Sequence, residues 1–356
     1  MIAPATPPPS ADALAERIFS AAIGAFDIAG VYLGDRLGWY ASLDRDGPAT
    51  PDELAARTGT DSRYAREWLE QQAVGGILQI ADDGRFRLPP EHAAVLVDPE
   101  SLSLMAPISR MLTAAFGRLP DVADAFRSGG GVGWESYGPD MREGQAAFNR
   151  PAFTHLLGKE WLPAIADVDA RLRTEPAARV LDVGCGEGWS TIAMARAYPL
   201  ARFVGVDLDG PSIEAARRRA TAAGLGHRVE FREADAAALD GEFDAAIIIE
   251  AVHDMANPVP VLAAVRSALA EGGSLIVVDE RVAESFAAPG DDLERFMYGW
   301  SLTTCLPDGR SREPSVATGT VMRPDTLRDY ASAAGFSAME ILPIENDFFR
   351  FYHLAR

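Results

Sequence analysis

The chain has 356 residues, 48% of them hydrophobic and 24% charged, which is enough for two domains with their own cores. A formal net charge of -19 works against nonspecific binding to nucleic acid or to an acidic membrane surface. Cys185 and Cys305 make no disulfide framework, no Cys/His cluster has zinc spacing and no stretch reads as a bilayer span, so the expectation is a cytoplasmic protein with no metal and no membrane partner.

Residues 1–10 are rich in Pro and Ala, with neither a basic start nor a long apolar core, and read as a disordered tail. Residues 11–43 read as helical. Leu14, Ile18, Ala21, Ala22, Ala25 and Ile28 share one face, and Gly30, Gly34 and Gly38 are expected to interrupt the later part. Thr50-Pro51 predicts a helix start, with threonine as cap and proline in the first turn. Thr58-Gly59-Thr60 ends that helix, and Asp61 caps a second one running to about Val74. Residues 76–80 and 85–88, joined across Asp82-Asp83-Gly84, read as a small β-wing.

Helix, turn, helix and wing suggest a winged helix within a mainly helical domain over residues 11–100. A recognition helix should offer basic side chains to phosphates. Here Asp61, Glu67 and Glu70 oppose Arg63 and Arg66, and the wing sets Asp82 and Asp83 against Arg85 and Arg87. That footprint disfavours nucleic acid as a partner.

Residues 101–170 read as a helical connector, with helices near 104–116 and 122–126. The run Gly129-Gly130-Gly131-Val132-Gly133 has no helix start or lysine to hold a phosphate, so it reads as a hinge or close-packed loop. Among the aromatic residues that follow, core packing is the expected role for most.

Residues 171–356 carry the most informative segment. Val180 to Val183 form an apolar run, Gly184, Gly186 and Gly188 allow a sharp turn, and Trp189 to Ala197 has helical character. Strand, glycine turn and helix alone would also suit a dinucleotide. The spacing is D-x-G-x-G-x-G, however, with Asp182 ahead of the first glycine. A second strand, 202–206, ends in Asp207, where an acid can accept two ribose hydroxyls. A third strand, 229–232, leads to Asp235. A fourth, 243–249, is followed by Glu250-Ala251-Val252-His253-Asp254, and a fifth, 273–278, by Asp279.

Five elements in this order resemble the class I S-adenosylmethionine-dependent methyltransferases, over roughly residues 178–356. The resemblance implies an α/β fold: a doubly wound seven-stranded sheet whose last strand is antiparallel, closed by segments 336–342 and 348–354. It implies S-adenosylmethionine as cofactor, held by Asp182, Gly184, Gly186, Asp207, Leu208, Asp235, Ala236 and Glu250. The stretch Glu143 to Phe153 resembles the Phe-Asn motif that roofs the site in methyltransferases of this architecture, which makes Asn149 and Phe153 substrate candidates. Tyr298 and Trp300, in an insertion at 281–321, are added as parts of a cap over a hydrophobic acceptor.

The whole chain is similar to small-molecule O-methyltransferases that use an N-terminal winged helix as a dimerisation module, so a homodimer acting on a hydroxylated, phenolic or polyketide-like small molecule is the leading expectation. In that family the His-Asp pair keeps the catalytic base. The motif usually continues with an aromatic residue, where this chain has Met255. A phenol with pKa near 10 needs a proton acceptor at neutral pH, and histidine can supply it. His253 is therefore the base and Asp279 its orienting acid, with Glu280 the competing choice. Two other readings stay open: C- or N-methylation or a cofactor-assisted rearrangement on the same fold, and a ligand-sensing regulator.

Overall fold

The computed structural model describes residues 10–356 as two compact units, one up to Thr113 and one from Ala114. The connector expected at 101–170 is thus divided between them. The tail at 1–10 lies outside the described residues except for Ser10, whose side chain caps the first helix.

In the first unit, α1 (Ala11–Arg36) runs unbroken through Gly30 and Gly34, where the sequence reading expects interruptions. The glycines serve packing. A Cβ on Gly34 would fall 2.4 Å from the Tyr40 ring and 2.5 Å from Trp68, and Trp68 Nε1 donates to the Gly30 carbonyl at 2.8 Å. The chain turns only at left-handed Gly38, into α2 (Trp39–Asp46). Thr50 and Glu53 then close a reciprocal capping box on α3 (Pro51–Thr58), worth about 1 kcal/mol for the threonine cap. Asp61 caps α4 (Ser62–Val74) by accepting from Arg63 and Tyr64. The wing is shorter than expected: β1 (Gln79–Ile80) pairs antiparallel with β2 (Phe86–Arg87). Next come α5 (Pro90–Leu96) and α6 (Ala106–Gly117), the latter crossing the division between the units.

Because α1 is continuous, it is 26 residues long and apolar enough to cross a membrane by length and composition, although the sequence reading finds no such stretch. Asp27 lies within it, and its Phe19, Ile23, Phe26 and Leu33 are exposed on one stripe.

The second unit opens with α7 (Leu119–Ser128) and α8 (Gly138–Ala152), which widens into a π-helical segment, Phe153–Trp161, before α9 (Ala166–Leu172). Alternating strands and helices follow: β3 (Arg179–Val183), α10 (Trp189–Ala197), β4 (Arg202–Asp207), α11 (Gly210–Ala222), β5 (Val229–Glu233) and β6 (Phe243–Ile249). Then come α12 (Pro258–Ala268), β7 (Leu269–Glu280), α13 (Asp292–Trp300), α14 (Leu306–Gly309), α15 (Pro324–Ala333), β8 (Ala338–Ile341) and β9 (Phe349–Ala355).

The sheet order is β5-β4-β3-β6-β7-β9-β8. The first five strands are parallel, and β9 runs antiparallel to both β7 and β8. Central strands such as β6, Phe-Asp-Ala-Ala-Ile-Ile-Ile, are almost wholly apolar because helices cover both faces. The chain builds outward from β3 through β4 to β5 and then crosses back to β6. The carboxyl ends of β3 and β6 therefore flank the switch point where such sheets bind ligands.

Candidate active site

The turn after β3 is built by its glycines. Gly184, Gly186 and Gly188 all have positive φ, and a Cβ on Gly184 would lie 2.7 Å from that of Ala251. The Gly186 amide donates to Asp207 Oδ2 at 2.8 Å, and the Asp209 amide to Asp207 Oδ1 at 2.8 Å. Burial raises the Asp207 carboxyl above its usual range, and the amides from Asp209 and Gly186 oppose that shift. Two carboxylate oxygens offer about four lone-pair sites, so the carboxylate keeps acceptor capacity for a hydroxyl.

Asp182 is placed differently. Its Oδ2 accepts from Ser190 Oγ and Thr191 Oγ1, both at 2.6 Å, which ties β3 to the first turn of α10. It is buried, and burial pushes its pKa up to about 6 against the pull of the two hydroxyls. These bonds are internal to the fold. Asp235 is exposed and caps the short turn Ala236–Ala238 through the Ala237 amide; Ala236 is buried beneath it, and Leu208 is exposed beyond Asp207.

Glu250 follows β6 with φ 50, a left-handed conformation costing about 1–3 kcal/mol for a side chain of this kind. Its Oε2 accepts from Asn149 Nδ2 and, at 3.3 Å, from Gln145 Nε2. Two amides one turn apart on α8 thus converge on one carboxylate oxygen. Burial raises Glu250 to about 7, with Asn149 the strongest opposing influence. Phe153 is buried, its ring edge-on to Trp161 at 6.4 Å.

His253 is 2% exposed. Its Nδ1 lies 2.7 Å from Asp279 Oδ1 and 3.0 Å from Glu280 Oε2, so both neighbours weighed in the sequence face the same nitrogen. The hydrogen bond goes to Asp279, which also accepts from the Glu280 amide. Burial raises Glu280 well above the carboxylate range; at Asp279 burial also raises the pKa, but His253 and the hydrogen bonds from His253 and Glu280 together outweigh it and hold the carboxyl low. The two carboxyls are thus pushed in opposite directions, Asp279 toward the anion and Glu280 toward the protonated acid. At His253 burial lowers the pKa, but Asp254, Glu280 and Asp279 together lift it well above 6.5. Its Nε2 lies 3.3 Å from Asp254 Oδ1.

In the insertion, Tyr298 is exposed with its hydroxyl 3.4 Å from Arg323 Nη2, and Trp300 packs edge-on to Phe296 at 5.7 Å. The structure thus gathers Asp207, Glu250, His253 and Asp279 at the carboxyl ends of β4, β6 and β7, joined by Asn149 from α8. The sequence reading missed Gln145, which lies four residues before Asn149 on the same helix face, a spacing that could have disclosed it.

Comparison with known proteins agrees with this geometry. A family profile described as a methyltransferase domain matches residues 174–306, and one described as an Rv2258c-like winged HTH domain matches residues 28–98. The demethylmenaquinone methyltransferase of Thermus thermophilus is 32% identical over 182 residues, 48% of this chain and 79% of that protein. The fatty-acid O-methyltransferase of Mycolicibacterium smegmatis is 36% identical over 121 residues, 33% of this chain, and the match spans only 40% of that relative. Among solved structures, mitomycin 7-O-methyltransferase MmcR is 21% identical at a TM-score of 0.72, covering 97% of this chain and 98% of its own. Human N-acetylserotonin methyltransferase, solved in complex with SAM, is 18% identical at a TM-score of 0.72, covering 96% and 97%. These structural likenesses carry the fold.

Proposed function

The chain belongs to the class I S-adenosylmethionine-dependent methyltransferases, and we propose that it is an O-methyltransferase acting on a hydroxylated, phenolic or polyketide-like small molecule. The observation that carries this reading is the Asp279–His253 pair at the end of β7, beside the glycine turn and Asp207. The residues fit the cofactor: Asp207 keeps acceptor capacity for ribose hydroxyls, the glycine turn allows close approach, and Asp207, Glu250 and Asp279 suit a cation. Bound S-adenosylmethionine supplies an electrophilic methyl group on a sulfonium.

The protein's own part is orientation and proton transfer. Asp279 accepts from His253 Nδ1, which fixes the imidazole plane and leaves Nε2 to take the acceptor's hydroxyl proton. Asp279 stays ionised and stabilises the imidazolium formed. Glu250, braced by Asn149 and Gln145, lines the cofactor side. Tyr298 and Trp300 belong to the cap over the acceptor, and the first unit, with its exposed α1 stripe, is the dimerisation module of a cytoplasmic homodimer. Incubation with S-adenosylmethionine and a panel of phenols and polyketides, followed by mass spectrometry, tests the reading. A product heavier by one methyl on oxygen supports it; methyl transfer to carbon or nitrogen alone contradicts it.

A further inference from the structure

The two sides of the His253 ring are built differently. On the Nδ1 side, a hydrogen bond at 2.7 Å satisfies ring and carboxylate together. On the Nε2 side, Asp254 Oδ1 stands 3.3 Å away, is buried, and takes part in no hydrogen bond. The Cys305 thiol lies against both groups, and the three atoms, nitrogen, oxygen and sulfur, all fall within 4.8 Å of one another.

With Nδ1–H committed to Asp279, Nε2 presents a lone pair. When the ring is neutral, two acceptors then face each other across 3.3 Å, beside a thiol whose ionisation burial opposes and a bound cation would favour. Ligand bonds of about 2.0–2.1 Å at a tetrahedral centre set nitrogen and oxygen ligands about 3.3 Å apart. An imidazole whose far nitrogen donates to a carboxylate is also the usual orienting arrangement behind a metal-bound histidine. Asp254 is 32% exposed and Cys305 partly so, which leaves a path from solvent to the three groups.

We propose that His253, Asp254 and Cys305 form a binding site for a thiophilic divalent cation of the zinc class. Binding displaces the thiol proton to solvent and forms one bond each to Nε2, Oδ1 and Sγ. On the reading that His253 is the proton acceptor, the bound cation occupies the nitrogen that reaction needs and so inhibits the enzyme reversibly. The sequence could not disclose this, because 51 positions separate Asp254 from Cys305.

Cobalt(II) added to the chelator-treated full chain tests the site without any acceptor. The expected result is one cobalt per chain with tetrahedral d–d absorption and a thiolate-to-cobalt charge-transfer band. Cys305→Ser should abolish that band and weaken binding at least about tenfold, while Cys185→Ser, at the other and buried cysteine, should keep both. Circular dichroism verifies that each variant folds, and Asp254→Asn, with weakened binding but a retained charge-transfer band, supplies an independent variant. No stoichiometric cobalt on the wild type, or a charge-transfer band that survives Cys305→Ser, overturns the site. Inhibition is read as the ratio of S-adenosylmethionine turnover with zinc to that with chelator, within each protein. A ratio equal in wild type and Cys305→Ser overturns the inhibitory role alone, and a chain that shows no turnover but binds cobalt separates this proposal from the functional one.

Discussion

Asn149 on α8 donates to Glu250 at the end of β6, joining two positions 101 residues apart through a part-buried carboxylate on a residue in a left-handed conformation. A strained acid braced by two amides is positioned rather than free to rotate. Asn149→Ala leaves Glu250 with Gln145 alone. Losing a hydrogen bond to a charged group costs about 1.5–3 kcal/mol. The expected outcome by calorimetry is cofactor binding weaker by roughly 10- to 150-fold. Unchanged affinity would show that the brace does not reach the cofactor.

Asp207 carries the clearest cofactor assignment, since its two oxygens receive the Gly186 and Asp209 amides and still have capacity. Asp207→Ala is expected to weaken S-adenosylmethionine binding by about 2–5 kcal/mol, the upper figure corresponding to two charged hydrogen bonds. A thermal melt of the variant checks that the turn survives. Normal affinity in the folded variant contradicts the assignment.

Asp182 yields a stability prediction with a definite sign. Its folded-state pKa is pushed up to about 6, against about 3.9 for an unperturbed aspartate. The folded state therefore holds this proton more tightly, and stability falls as pH rises from about 4 to about 6, by at most about 3 kcal/mol. Asp182→Asn keeps an oxygen for Ser190 and Thr191 but cannot ionise. Chemical denaturation at pH 5 and pH 7.5 should show a smaller loss for the variant than for wild type. Parallel losses would mean that Asp182 does not titrate in this window.

The stripe Phe19, Ile23, Phe26 and Leu33 on α1 is exposed, with Phe26 at 74%. An apolar helix face of this kind calls for a partner, and a second copy of the chain is the one proposed. Light scattering should give a dimer for wild type and a monomer for the double variant Phe19→Glu, Phe26→Glu. A wild-type monomer, or a dimer indifferent to the substitutions, contradicts it, and tight sequence-dependent DNA binding at physiological salt would favour the regulator reading instead.

What the sequence disclosed followed period and punctuation. Trp189–Ala197 and Phe243–Ile249 have the bounds expected, because glycines and apolar runs mark their ends. Continuity of α1 was hidden, since Gly30 and Gly34 read as breaks until Tyr40 and Trp68 are seen packing on them. Asp182 looked like a ligand from its place in the motif, but the Ser190 and Thr191 hydroxyls that engage it depend on how α10 turns back over β3. Asp279 and Glu280 stand as competing choices for the orienting acid in the sequence. Asp279 and Glu280 end β7 still paired to β9 but beyond the last pair with β6, and both carboxylates reach His253 Nδ1.

The proton acceptor is the centre of the account, and the pH profile of turnover, measured with chelator present on wild type and His253→Ala, tests it most directly. Wild-type kcat should rise with pH through a value above the ordinary 6.5 of histidine, because Asp254, Glu280 and Asp279 outweigh burial and favour the charged ring. His253→Ala should lower kcat at neutral pH by about 10²–10⁴-fold, roughly 2.7–5.5 kcal/mol of barrier, with cofactor affinity hardly changed. Asp279→Asn should lose less, since it misorients the ring without removing it. The alanine variant should recover toward high pH as a phenolic acceptor ionises unaided. Near-normal turnover by His253→Ala at neutral pH would contradict the account and place the base elsewhere.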